Sequence, residues 1–304
     1  MANRSIKLRA FDVDNITLTS TNKSLFEHII TNLSKRPTIN DRLMLLNQDS
    51  AQSYVLAYSE ISGSGNSIFG LVLDVIPYEN GGELSKDLLK EQSIKLSQVT
   101  QAKENSLLCK DHFYFYLTPS ILIATCKRSS IISKLQTYLN WIVDDVRENA
   151  IMSFTPLIET VNLVPPTELR SMEIGNISLP VGSGASVKKL DVKKWLGNIF
   201  DEVPELNELR ENEVLQAFLT LKFKRPKKMS IEDYSKLLGN FAKSVETSED
   251  IKLTNKKGNT IKGNQIEKFK IATINCTLEG LIVEQDLKQM MQSYVQEINN
   301  ERQK

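Results

Sequence analysis

Between residues 112 and 126 the chain reads HFYFYLTPSILIATC, and no other segment narrows the choice of fold as much. Residues 112–117 and 121–126 read as two buried strands, and Thr118-Pro119-Ser120 supplies the turn between them. Directly afterwards Ile131, Leu135, Tyr138, Leu139, Ile142 and Val146 recur with a 3.6-residue period, which predicts an amphipathic helix. A buried hairpin that feeds an amphipathic helix calls for a sheet with a helix packed on its face. The expected class is therefore α+β, with antiparallel sheets and helices packed on one face.

The flanking segments extend this pattern. Ile6, Leu8 and Ala10 alternate with Lys7 and Arg9, which predicts a half-buried strand with a basic outer face. Ser24 is placed to cap a helix carrying Leu25, Phe26, Ile29, Ile30 and Leu33, which must stop before Pro37. Residues 42–46, 54–61 and 68–76 read as strands, the last two joined through SGSGNS at 62–67. Residues 83–98 are polar and mixed, either a helix or a mobile excursion. Residues 1–150 form the first expected domain.

A second domain, 151–304, is expected to follow, as suits a chain of 304 residues. Strands are predicted at 154–164 and 172–181, separated by a linker with Pro165-Pro166 and followed by Gly182-Ser183-Gly184. A helix is expected around 192–200 and a long apolar strand at 214–223. Ser230 can cap a helix running to Lys243, with Glu232 and Asp233 well placed near its N-terminus. Residues 250–254 and 259–262 suit a hairpin, because its tip, Asn255-Lys256-Lys257-Gly258, holds the Asn and Gly that a tight turn requires. A strand at 269–276 and a helix bearing Leu287, Met290, Met291, Tyr294 and Ile298 complete the chain.

Catalytic signatures are missing from the sequence. Gly63, Gly65 and Gly70 have the wrong spacing for a phosphate loop, and Gly182 and Gly184 lack the Lys-Ser/Thr that should follow. His28 and His112 are the only histidines, and neither HExxH nor GxSxG occurs. Asp12 and Asp14 sit where some nucleases hold a divalent cation, yet no carboxylate–lysine pair downstream matches them, and solvation of a strand end accounts for both. Cys109, Cys126 and Cys276 form no ligand cluster and read as buried thiols of a reducing compartment. The expectation is a protein that is not an enzyme and takes no cofactor or metal. No apolar run approaches the eighteen or so residues of a membrane span, and MANRSIKLRAFDVD turns polar too early for a signal peptide. A cytoplasmic location is expected, with the membrane reached only through a partner.

Charge is the feature left to carry function. The net charge is only +1, but LKFKRPKK at 221–228 puts Lys222, Lys224, Arg225, Lys227 and Lys228 into eight residues. From 222 to 270 thirteen Lys and Arg face six carboxylates, a surplus of seven, while 201–213 carries six acids against Arg210 alone. Concentrated positive charge suits a polyanion, whose phosphates release condensed counterions when they are neutralised. In a strand Phe223 points opposite Lys222 and Lys224, so it can anchor the strand while the lysines face out. The predicted phosphate contacts are those five cations, with Lys256 and Lys257 on the hairpin tip and Lys7 and Arg9 extending the surface. An interaction adaptor is the alternative, its basic region docking an acidic partner or the chain's own 201–213 segment.

The order of segments resembles the RexA family, the cytoplasmic component of a phage-encoded exclusion system. RSIKLRAF, HFYFYLTPSILIATC with the helix after it, FTPLIETVN, MEIGNISLPV and LKFKRPKK carry the resemblance. It implies a homodimeric, two-domain protein that binds double-stranded DNA with little sequence preference. It also implies a role in abortive infection, an antiviral defence, with a separate membrane protein as effector. Lys222, Phe223, Lys224 and Arg225 are the positions that match the family residue by residue. The polar stretch 83–98 and the acidic run before Val214 depart from the family pattern.

Overall fold

The computed structural model describes residues 2–18, 21–45, 52–77, 84–85, 90–94, 106–125, 129–143, 152–159, 165, 168–174, 219–222, 230–243, 251–278 and 280–303. The class is α+β, and every described strand pairing with a register is antiparallel. The chain forms two compact units, one made of Met1–Lys127, Ile132–Phe154 and Phe269–Lys304, the other of Arg128–Ile131 and Thr155–Lys268. Most of the second unit is thus an insertion in the sequence of the first.

The strands of the first unit are β1 (Ala2–Asp14), β2 (Thr17–Leu18), β3 (Lys23–Ser24), β4 (Leu43–Leu45), β5 (Ser53–Ile61), β6 (Ile68–Pro77), β7 (Leu84–Ser85), β8 (Ser106–Leu117) and β9 (Ile121–Ala124). They are joined by β10 (Ser153–Pro156), which runs on into the second unit, and by β15 (Phe269–Cys276). The main sheet runs β10-β1-β9-β8-β6-β5-β4, with β15 on β1 and β7 on β8. The predicted hairpin is β8–β9, its turn closed by Thr118 N–H donating to the Ile121 carbonyl at 2.8 Å. Strand β8 starts earlier than the predicted 112–117 because residues 107–111 also pair with β6. The register shifts there: Asp74 faces Asp111 and Val75 faces Cys109, leaving Lys110 as the extra residue of a bulge. Farther along, Gly70 faces Phe115, and the ring lies so close that a Cβ at Gly70 would sit 2.6 Å from its Cε1 atom.

Helix α1 (Leu25–Ser34) starts at Ser24, as its sequence predicts, and Glu27 completes the cap. The Ser24 hydroxyl oxygen accepts from Glu27 N–H at 3.2 Å, and the Glu27 carboxylate accepts from Ser24 N–H at 2.7 Å. Helix α2 (Ser129–Val143) takes in the predicted amphipathic positions from Ile131 to Ile142, while Val146 lies outside the described residues, and Asn32 of α1 donates to the carbonyls of Ile142 and Val143, at 3.0 and 2.8 Å. The buried Tyr138 hydroxyl accepts from Leu56 N–H at 2.9 Å and donates to the Arg42 carbonyl at 2.6 Å, tying α2 to β5 and to the turn before β4. Arg42 was expected to open a strand. Instead it closes a short 3-10 turn (Asn40–Arg42) and is only 3% exposed. Of the polar stretch 83–98, residues 90–94 approach this site, where Ile94 is buried and donates its N–H to the Ala57 carbonyl at 2.9 Å.

The strand at 269–276 belongs to the first unit, not to a domain spanning 151–304. It pairs with β1 from Ala2↔Cys276 to Arg9↔Phe269. Alternation marks β15 as a strand but carries no record of a partner so distant in sequence. The last helix, here α4 (Glu284–Arg302), buries Leu287, Met291, Tyr294, Val295 and Ile298. Its polar flank is tied down by Tyr114 O–H donating to Glu284 at 3.1 Å, Lys288 on Glu60 at 2.7 Å and Arg302 on Asp12 at 3.0 Å.

Glu60 also accepts from the Tyr58 hydroxyl at 3.1 Å. Burial first, and then this hydrogen bond, pushes the Tyr58 pKa up to about 12 from an ordinary 10.0. A group whose folded pKa is raised contributes stability that is complete below its unfolded pKa and is lost as pH rises through the folded one. Urea denaturation between pH 9 and 12 should therefore show stability falling from pH 10 upward. Tyr58→Phe should flatten part of that fall, and an identical profile in the variant would refute the assignment.

The second unit holds a four-stranded sheet in the order β12 (Leu219–Lys222), β11 (Leu169–Ile174), β13 (Ile251–Asn255), β14 (Thr260–Lys262). Helix α3 (Ile231–Lys243) starts as expected from Ser230, whose hydroxyl oxygen accepts from Asp233 N–H at 3.0 Å. The two ends of the unit are neighbours: Lys268 N–H donates to the Leu157 carbonyl at 2.7 Å, and Glu159 N–H to that of Ile266 at 2.6 Å. Of the predicted strand 154–164, residues 154–159 are described, with 154–156 in β10 and Ile158 in a bridge to Glu267, and of 172–181 only 172–174, in β11. The segment Gly182-Ser183-Gly184, the helix at 192–200 and the acidic run 201–213 lie outside the described residues.

Candidate nucleic-acid interface

The four-stranded sheet of the second unit has one apolar and one polar face, and its register decides which residues share each. Met172 and Leu253 pair across β11 and β13 and are fully buried, as is Ile251. The positions between them fall on the opposite face. One row across the strands is Thr220, Glu173, Lys252 and Lys262, and the next is Lys222, Ser171, Thr254 and Thr260. Thr220, Glu173, Lys252, Lys262 and Thr260 are exposed, and Ser171 and Thr254 half-buried. The hydroxyl oxygens of Thr254 and Thr260 are 3.5 Å apart.

This face ends at the β13–β14 turn, which has the predicted tip. The Asn255 side-chain oxygen accepts from the N–H groups of Lys257 at 3.0 Å and Asn259 at 2.9 Å. Gly258 takes φ +85°, a conformation that glycine adopts without strain. Lys256 N–H donates to the Glu168 carbonyl at 2.8 Å, fastening the tip to the segment that leads into β11. Lys256 and Lys257 are exposed on this braced turn. Strands β12 and β13 run in the same direction, because each is antiparallel to β11. Lys222, the last residue of β12, therefore lies at the end of the sheet that carries the lysine tip.

Of the predicted contacts, Lys222 takes a register position on the polar face and Lys256 and Lys257 stand at its end. Lys224, Arg225, Lys227 and Lys228 lie outside the described residues, as does Phe223. Lys7 and Arg9 belong to the first unit and are half-buried. The Lys7 ammonium sits 3.8 Å from the centre of the Phe269 ring, so it is less a projecting cation than a cover for an exposed aromatic. Part of the counted surplus is spent internally: Lys268 pairs with Glu159 at 3.7 Å, and Lys270 pairs with Glu297.

Lys252 and Lys262 were not among the expected contacts. The alternation in IKLTN and TIK is visible in the sequence, but only pairing with β11 identifies the lysine side of each strand as the exposed one. Asp12, half of the carboxylate pair weighed as a metal site, is engaged by Arg302 at 3.0 Å. Cys276 is buried, whereas Cys109 is only half-buried, its thiol pushed up to about 11 chiefly by burial and then by Asp111 and Asp74. Among the described residues no three His, Cys, Asp or Glu converge to hold a metal ion, and no helix is long and apolar enough to cross a membrane. No family model, no curated protein and no solved structure matches this chain.

Proposed function

We propose that this protein binds double-stranded DNA through its phosphate backbone, without reading sequence, and that the polar sheet face of the second unit is the contact surface. One observation carries the reading: the register sets Lys222, Lys252 and Lys262 among four hydroxyl residues, with Lys256 and Lys257 at the same end. Lysine and hydroxyl side chains on a rigid sheet suit phosphate oxygens, and contacts of that kind position a duplex without specifying bases. Lys222 is also the first cation of the basic run at 222–228 in the sequence.

Five neutralised phosphates give log affinity against log salt a slope of about −4 to −5. Lys252→Gln with Lys262→Gln should make that slope shallower by about 2 and weaken binding to unrelated duplexes equally. Anisotropy titrations of a labelled duplex over a series of NaCl concentrations measure both quantities. A flat salt response overturns the reading and leaves a protein-interaction adaptor in its place. The role in phage exclusion, with a homodimeric sensor and a separate membrane effector, rests on the sequence resemblance. A neighbouring reading frame for a small multi-span membrane protein supports it, and the absence of one counts against it.

A further inference from the structure

Glu173 is the one carboxylate among the eight register positions of the polar face, and its place there is specific. It lies directly across from Lys252 on β13, and diagonally from Lys222 on β12, whose direct partner is Ser171. Directly opposed residues have Cβ atoms about 5 Å apart, within reach of a glutamate and a lysine. The row nearer the hairpin tip, Lys222, Ser171, Thr254 and Thr260, contains no acid. At about 4.8 Å between strands that row spans about 14 Å, close to four steps of a DNA strand at about 3.4 Å each.

We infer that a bound polyanion crosses the strands along the Ser171–Thr254–Thr260 row toward the lysine tip, and that Glu173 bounds this track and competes with it for Lys252. In the free protein the Glu173 carboxylate competes with phosphate for the Lys252 ammonium. In the complex it faces the polyanion and repels it. Both effects lower affinity and keep the complex releasable, so Glu173 works as a brake on binding. Opposite-charge pairs across strands contribute modestly, which suits an element that tunes affinity without abolishing it. The inference rests on the nucleic-acid reading of the face and adds the route of the ligand and its regulation.

The test uses the full chain with Glu173→Gln, Lys252→Gln, Lys257→Gln and the two double variants that combine Glu173→Gln with each lysine change. All these positions are exposed, and unchanged thermal unfolding confirms that each variant is folded. With a labelled mixed-sequence duplex, Glu173→Gln should tighten binding about fivefold, because Lys252 then meets phosphate without a competing carboxylate across the strand. That gain should shrink when Lys252 is already Gln and persist when Lys257 is Gln, which separates a local pairing from a change in net charge. Unchanged or weaker binding by Glu173→Gln, while Lys252→Gln and Lys257→Gln still weaken it, overturns the brake but leaves the DNA surface standing. Equal gains in both double variants overturn the local pairing. If neither lysine change alters duplex affinity, the surface itself is wrong and the inference falls with it.

Discussion

Arg42→Ala should destabilise the first unit by about 4 kcal/mol, the largest single effect expected from a point change outside the interface. Arg42 is 3% exposed, and among the described contacts its guanidinium is held by neutral groups. Nε donates to the Thr38 carbonyl at 3.1 Å, one terminal nitrogen to the Ser59 hydroxyl at 3.4 Å and the other to the Gln92 carbonyl. Burial pulls its pKa below the ordinary arginine value, and Tyr138 and Asp41 partly offset that pull. Removing the side chain empties a buried volume and strands three acceptors, including two carbonyls from segments far apart in sequence. Arg42→Met restores much of the stem packing but none of the donors, so it should recover roughly half of the loss. Chemical denaturation of the three proteins measures both steps. A loss under 1 kcal/mol for the alanine variant would mean that the acceptors find other donors.

Gly70→Ala should cost about 3 kcal/mol even though alanine is the better residue for a strand interior by backbone entropy alone. Its methyl group would lie 2.6 and 2.7 Å from two atoms of the Phe115 ring and 3.0 Å from Leu56. All three residues sit in the central strands β5, β6 and β8, and both neighbours are fully buried, so the ring has nowhere to retreat. Phe115→Leu removes the obstructing ring edge. The double variant should therefore be less destabilised than the sum of the single changes, by 1 kcal/mol or more. Strict additivity in a denaturant cycle would show that the strain is relieved elsewhere.

How far the chain can be read depends on the range of the interactions involved. The β8–β9 hairpin, α2, the Ser24 and Ser230 caps and the Asn255–Gly258 tip are all local: periodicity, a capping hydroxyl or a positive φ decides them within a few residues. Arg42 looked like a strand residue because nothing near it announces that carbonyls from Thr38 and Gln92 will converge on its side chain. The pairing of β15 with β1 was equally hidden, since alternation describes a strand and not its neighbour. The candidate surface shows the same division. The concentration of lysines between 222 and 270 is plain in the sequence, but whether a given lysine belongs to the surface is decided by register. Register brought Lys252 and Lys262 in, while Lys268 and Lys270 are already paired.

The distant pairing of β1 also sets an order of events during synthesis. The first residues of the chain leave the ribosome with their β1 sequence complete, yet the strand that pairs with Ala2–Arg9 is made of residues 269–276. At about 5–20 residues per second, roughly 15–55 s separate the two on a translating ribosome. Through that interval the beginning of β1 must wait, while the β8–β9 hairpin and the whole inserted unit emerge. The first unit cannot close before residues 269–276 arrive, and until then residues 2–9 lack their partner strand.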